Sequence, residues 1–232
     1  MGHFRGLDPE TWCKGGGMTP VPFGGLADRP PCYTPPEVPM SEPARSPVSY
    51  DDVLQAPPEQ VAEILAGELV LSPRPRSDHA LAAGAMGADL AAFGLRRRGG
   101  GPGGWWILPE PELHLGPDVI VPDLAGWRRE RMPDFPVVTA FTLVPDWVCE
   151  ILSRGTARRD RGVKMEIYGR SGVVHVWLVD PAERLLEVYR RAEPFWARIG
   201  AWGDDARVRA EPFDAVELDL SGWWVPPPEA QP

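Results

Sequence analysis

Two apolar runs of strand length, WVCEIL (residues 147–152) and VVHVWLV (residues 173–179), enclose a stretch that reads as a helix over residues 156–169 with Thr156 as its cap. This strand–helix–strand order, following other strand-like segments, predicts an α/β domain with a central mixed β-sheet flanked by helices. The first run also poses a chemical problem. Alternate side chains of a strand point to opposite faces, so Trp147, Cys149 and Ile151 share one face and Val148, Glu150 and Leu152 the other. A carboxylate in the middle of such a run is costly to bury without a partner.

The remaining elements follow from periodicity and breakers. Ser49, Asp51 and Asp52 offer capping oxygens ahead of VLQAPPEQVAEIL, which predicts two short helices divided at Pro57 and Pro58. The second spans residues 59–65 and carries Glu63. A turn at Ala66 and Gly67 leads into a strand over residues 68–72. Residues 78–97 form the clearest helix, with Asp78 as cap and Ala83, Met86, Leu90 and Phe93 as one apolar stripe. The glycine-rich stretch behind it reads as a flexible connector, because no strand precedes it as a phosphate-binding loop requires. WWIL, ELHL and VIVPDLAGW read as strands, residues 128–142 as a loop with a short helix, LLEVYR and FWARIG as a hairpin, and residues 206–225 as short closing strands. Residues 47–225 make one domain, with a tail at 226–232. Residues 1–46, rich in Pro and Gly, read as a disordered leader, with Met40 as the expected translation start.

Composition narrows the function classes. No run of about 18 apolar residues suggests a membrane span, and no basic region followed by an apolar core suggests a secretory signal, so cytoplasm is the expected compartment. Cys13, Cys32 and Cys149 lack the spacing of a zinc site or a disulfide framework. A net charge of -9 argues against coating nucleic acid through overall charge, while leaving room for a local basic groove. Arginines cluster at 96–98, at 128–131 and again at 154–161. Of 24 basic residues only Lys14 and Lys164 are lysines. The body of the chain therefore keeps one lysine where arginine is otherwise used. A compact ammonium suits a tight site that a planar guanidinium would not fit.

Asp123, in VIVPDLAGW, sits at the end of an apolar run as awkwardly as Glu150 does. One divalent cation shared between them would answer both costs, since hard ions prefer carboxylate oxygens. Half-exposed carboxylates paired with arginine would answer them as well. Asp160, Lys164 and Tyr168 are spaced four apart, so they share one helix face. That spacing allows Lys164 to reach Glu150, and it equally allows a plain surface ion pair between Asp160 and Lys164, with Tyr168 as a packing residue.

Several of these segments carry a family resemblance. AEILAGELVLSPRPRSDH, VPDLAGW, DWVCEILS and RRDRGVKMEIYGRSGVVHVWLVDP together resemble the Uma2 family of restriction-endonuclease-like proteins, in the PD-(D/E)XK nuclease superfamily, over most of residues 48–225. The resemblance implies a restriction-endonuclease-like fold and a metal-dependent endonuclease acting on DNA. It implies that Asp123 and Glu150 bind Mg²⁺, or Mn²⁺ in its place, with the backbone carbonyl of Ile151, and that Lys164 orients the attacking water. Glu63 is the expected accessory acid, with Glu68 as its alternative. His79, Arg158 and Arg161 are the expected substrate contacts. The superfamily usually places its lysine two residues after the strand acid. Here Leu152 holds that position, and Lys164 takes the role from the next helix. Arg154-Gly155 also departs from the proline and small residue that relatives carry. Nucleases that cut both strands often use two sites, so a homodimer stays open, while no membrane partner is expected. A non-catalytic nucleic-acid- or protein-binding module with the same fold is the alternative function, followed by a hydrolase acting on another substrate.

Overall fold

The computed structural model describes residues 47–94 and 101–226. The leader and its expected start at Met40, the arginines at 96–98 and the tail beyond 226 lie outside the described residues. Helix α1, Tyr50–Leu54, opens the fold with a capping box, in which the Ser49 backbone N–H donates to Asp52 at 2.8 Å. The second helix predicted here is instead a strand. Strands β1, Gln60–Leu65, and β2, Glu68–Pro73, form an antiparallel hairpin in register from Gln60↔Pro73 to Leu65↔Glu68. Ala66 and Gly67 turn the chain with φ of 52° and 84°, the two positive angles that a tight two-residue hairpin loop needs. QVAEIL is rich in helix formers, but the ladder with ELVLSP decides its conformation, as tertiary pairing often overrides weak local propensity.

Helix α2, Ser77–Asp89, runs into a single 3₁₀ turn, Leu90–Ala92, and so stops short of the predicted end near residue 97. It starts one residue before the expected Asp78 cap. Met86, Leu90 and Phe93 are buried as their spacing predicted. Strands β3 (Trp105–Pro109), β4 (Leu113–Leu115), β5 (Asp118–Ile120) and β6 (Leu124–Arg128) follow. VIVPDLAGW is therefore not one strand. Its first half is β5, paired with β1 and β4 in a four-stranded antiparallel sheet of order β2-β1-β5-β4. Its second half is β6, in a different, six-stranded sheet. Pro122, which has no N–H to offer a ladder, lies at the crossing between the two.

Residues 128–142 contain no helix. Pro133 and Pro136 interrupt them, and a backbone bridge from Leu113 to Phe141 holds the loop. Strand β7, Trp147–Ile151, then leads through a tight turn into α3 (Ala157–Arg159), a π-helical turn (Asp160–Lys164) and α4 (Met165–Ser171). Gly172 ends this helix in the left-handed conformation, at φ 97°. Strands β8 (His175–Asp180), β9 (Leu185–Ala192) and β10 (Phe195–Gly203), and the short pair β11 (Arg207–Val208) and β12 (Leu218–Asp219), complete the order.

The six-stranded sheet has the order β10-β9-β8-β7-β6-β3. Its β7–β8 pair is parallel, bridged by the α3–α4 crossover, and the other pairs are antiparallel, so the sheet is mixed as expected. The alternation along β7 divides the core in two. Trp147, Cys149 and Ile151 pack with Met86 of α2 and with Phe213 and Trp223 of the C-terminal segment. Val148 and Leu152 pack with Ile167 and Tyr168 of α4. Glu150 points into this second layer, toward the helix. Among the described residues no helix is long and apolar enough to cross a membrane.

Candidate active site

Lys164 is the hub of the site. Its ammonium lies 3.0 Å from Oε1 of Glu63, 3.2 and 3.1 Å from the two carboxylate oxygens of Glu150, and 3.8 Å from Oδ1 of Asp160. All four side chains are at least 95% buried. The plain surface ion pair that the Asp160–Lys164 spacing allowed is thus a buried cluster. The connection after β7 makes this reach feasible. The Thr156 hydroxyl accepts from the Ser153 N–H at 3.2 Å, and Ala157 N–H donates to Ser153 O at 2.9 Å. This turn folds the helix back over the sheet with Arg154-Gly155 at its tip.

The cluster fixes its own charge pattern. Burial alone would lower the Lys164 pKa, but Glu150, Glu63 and Asp160 more than reverse this, so the ammonium stays charged. Burial pushes the Glu150 carboxyl well above the usual carboxylate range. Lys164 opposes the rise, and Asp160, Asp123 and Glu63 add to it. Tyr168 donates its hydroxyl to Oε1 of Glu150, and burial followed by the Glu150 charge holds its pKa well above that of a free tyrosine. Tyr168 is therefore a ligand of the carboxylate as well as a core residue.

Asp123 immediately precedes β6 and completes the β6–β7 edge with its side chain. Its Oδ2 accepts from the Ile151 N–H at 2.6 Å, and its Oδ1 lies 3.0 Å from Nε2 of His79. Burial pulls the His79 pKa down, but the hydrogen bond and charge of Asp123 outweigh it and the net shift is upward. Nδ1 of His79 is buried without a partner. Glu63 ties the two sheets together, since its Oε1 also accepts from the Val121 N–H at 2.9 Å, within the crossing from β5 to β6.

These groups line a cleft of about 850 Å³ between the β1–β2 hairpin, the start of α2 and the turn into α3. Asp123, Glu150, Ile151, Lys164, Glu63 and His79 are all brought to it. Arg158 and Arg161 are not. Arg158 is exposed, and Arg161 turns to Glu187 on β9 at 2.5 Å. Side chains about 100° apart on a helix explain the difference. With Asp160 and Lys164 facing inward, Arg161 lies on the flank toward β9 and Arg159 on the flank toward the hairpin. Arg159 and Arg154 therefore line the cleft in place of the two arginines expected there. Glu68 is exposed at the hairpin turn, outside the cleft lining.

The family model described as "Putative restriction endonuclease", Uma2, matches residues 49–221. The chain belongs to the Uma2 family. A solved structure of "a putative nuclease belonging to DUF820" from Anabaena variabilis is similar to it, with a TM-score of 0.62 at 22% identity, over 76% of this chain and 99% of that one. This likeness supports the restriction-endonuclease-like α/β fold that the sequence resemblance implied. No curated protein matches the chain.

Whether this cleft suits a divalent ion depends on its donors. Among the described residues no three His, Cys, Asp or Glu side chains converge into a ready-made cage. Mg²⁺ does not need one, because it commonly takes one or two carboxylates and keeps several waters. Asp123, just before β6, and Glu150, on the neighbouring β7, offer hard oxygens to one cleft. Glu63, Asp123, Glu150 and Asp160 supply carboxylate oxygens around Lys164 and His79. Carboxylate oxygens are the donor type that Mg²⁺ and Mn²⁺ take. Asp160, Tyr168 and Arg159 are the residues whose place at this cleft the sequence did not single out. For the first two, spacing in steps of four with Lys164 was the available signal.

Proposed function

We propose that the chain is a Mg²⁺-dependent endonuclease that hydrolyses phosphodiester bonds in DNA, with Mn²⁺ able to substitute. The observation that carries this reading is the Lys164 ammonium, 3.0 Å from Glu63 and 3.1 Å from Glu150, at a cleft that Asp123 also lines. Asp123 and Glu150 would hold the ion, with the Ile151 carbonyl as a third donor. When bound, the ion supplies Lewis-acid polarisation of a phosphoryl oxygen and a water of lowered pKa.

The chain's own residues do the rest. Lys164 orients the attacking water and offers its N–H groups to the charge growing on the phosphate. Glu63 and Asp160 hold that ammonium in place. Tyr168 holds Glu150, and His79 holds Asp123 from the side opposite the Ile151 N–H. The test is a cleavage assay with Mg²⁺ or Mn²⁺ over duplex, single-stranded and branched DNA and the matching RNAs. DNA cleavage that disappears in Asp123→Ala is the expected result. Cleavage of RNA alone would replace the substrate, and no cleavage of any form would overturn the reading.

A further inference from the structure

Four arginines line the cleft, and only one of them is built into its wall. Arg74 and Arg76 sit on the exposed rim, where Arg74 donates to the Pro58 carbonyl and Arg76 lies 3.6 Å from Asp78. Arg154 is exposed at the tip of the turn before α3. Arg159 is half-buried. Its Nη2 donates to Oγ of Ser72 at 2.9 Å, and its Nε is buried without any hydrogen-bond partner. No ion pair among the described residues involves Arg159. Elsewhere in the fold, even exposed arginines meet buried carboxylates: Arg161 meets Glu187, Arg170 meets Asp118 and Arg131 meets Asp146.

A guanidinium in a cleft wall with no carboxylate partner among the described residues and no acceptor for its Nε is the unusual state, because a buried N–H without an acceptor costs free energy. Its planar fork matches an oxyanion such as a carboxylate or a phosphate. The nuclease reading of the site, on which this inference rests, selects the phosphate. Ser72 lies one residue before the end of β2 and Arg159 ends α3, 87 positions apart in the chain. Their hydrogen bond therefore joins the hairpin to α3 at the wall of the cleft that Glu63, Asp123, Glu150 and Lys164 also line.

We propose that Arg159, positioned by Ser72, is the phosphate-binding residue of this cleft and holds a backbone phosphate of the nucleic acid next to Asp123, Glu150 and Lys164. This assigns substrate contact to a residue adjacent to, and facing away from, the arginines that the sequence favoured.

The test is fluorescence anisotropy of labelled duplex and single-stranded DNA oligonucleotides with the full chain. Ca²⁺ replaces Mg²⁺, and salt is varied from about 50 to 200 mM. Wild type is compared with Arg159→Gln, Arg159→Lys, Ser72→Ala and, as a control remote from the cleft, Arg207→Ala. Arg159→Gln is expected to raise Kd about tenfold and to reduce the log–log salt slope by about 1. Arg159→Lys should restore the slope but only part of the affinity, since an ammonium keeps the charge and loses the fork. Arg207→Ala should bind as wild type does. If Arg159→Gln does not fold, Ser72→Ala decides, and a several-fold weaker complex is expected because the guanidinium loses its anchor. Unchanged affinity and salt slope in the decisive variant, with wild type binding and cleaving DNA, would overturn the assignment and leave the nuclease reading standing. Wild type that neither binds nor cleaves any nucleic acid would overturn both.

Discussion

The Lys164 ammonium lies 3.1 Å from Oε2 of Glu150, although the two residues sit 14 positions apart on different elements. Leu152 occupies the strand position on the same face, two residues beyond Glu150, and is buried against the helix layer with Met165 and Ile167. A lysine there would have to displace part of that apolar layer. The helix supplies the cation instead, from a π-helical turn, a local geometry that recurs at functional sites. Lys164→Arg is therefore expected to cost nearly as much as Lys164→Ala, about 100-fold or more in kcat, because a guanidinium does not fit among three buried carboxylates. Lys164→Ala should also lower stability by roughly 3 kcal/mol, since it leaves Glu63, Glu150 and Asp160 without their cation. Single-turnover rates and urea unfolding of both variants measure the two effects. An arginine variant with wild-type rate would refute the argument.

Asp123→Ala and Glu150→Ala should each abolish Mg²⁺-dependent cleavage with the fold retained, but their stabilities should differ in origin. Asp123→Ala strands the Ile151 N–H at the β6–β7 edge, a loss of about 1–2 kcal/mol. Glu150→Ala removes an acid that burial disfavours while depriving Lys164 of a partner, so its two effects oppose each other. Denaturant melts with and without Mg²⁺ separate these cases. Wild type should gain stability from the ion, and both variants should lose most of that gain.

Much of this architecture was legible because a few segments permit only one reading. WVCEIL and VVHVWLV are short, β-branched and apolar runs that suit buried strands on either side of a helix, and one lysine in the body of an arginine-rich chain singles out Lys164, which lies in a buried cluster of carboxylates. The hairpin was not legible, because QVAEIL consists of good helix formers and becomes a strand only by pairing with ELVLSP. The split of VIVPDLAGW between two sheets depends on which strands lie beside each half, which one segment does not state. The exchange of Arg159 for Arg158 and Arg161 turns on helix phase. One residue of rotation decides whether a side chain meets the hairpin, the solvent or β9.

Tyr168→Phe isolates the hydroxyl that donates to Glu150 Oε1. The ring stays in the core, so packing should survive, and the buried carboxylate keeps only Lys164 as a donor among its present partners. Stability is expected to fall by about 1–2 kcal/mol. The apparent Mg²⁺ affinity should fall roughly tenfold, as happens when a group that orients a metal ligand is removed. A metal titration followed by isothermal calorimetry reads this directly. Unchanged affinity together with the stability loss would reduce Tyr168 to a structural role.

His175 and His79 should impose opposite pH dependences on stability. Burial holds the His175 pKa below its ordinary value of 6.5; Glu211 opposes this, and Arg128 and Arg190 reinforce it. The folded state thus favours neutral His175. Its contribution is fully present above pH 6.5 and is lost as pH falls from there through its depressed folded pKa, where the unfolded chain gains a proton first. For His79 burial acts downward, but Asp123 dominates and the net shift is upward. Its contribution is complete below pH 6.5 and is lost as pH rises through its raised folded pKa. Urea-unfolding free energies measured every half unit from pH 5.5 to 8 should therefore show a loss on the acid side that His175→Asn flattens. They should also show a loss on the neutral side that His79→Asn flattens. The same slopes in wild type and both variants would mean that neither imidazole changes its proton affinity on folding. In that case the Asp123–His79 contact at 3.0 Å would have to be a hydrogen bond to a neutral ring.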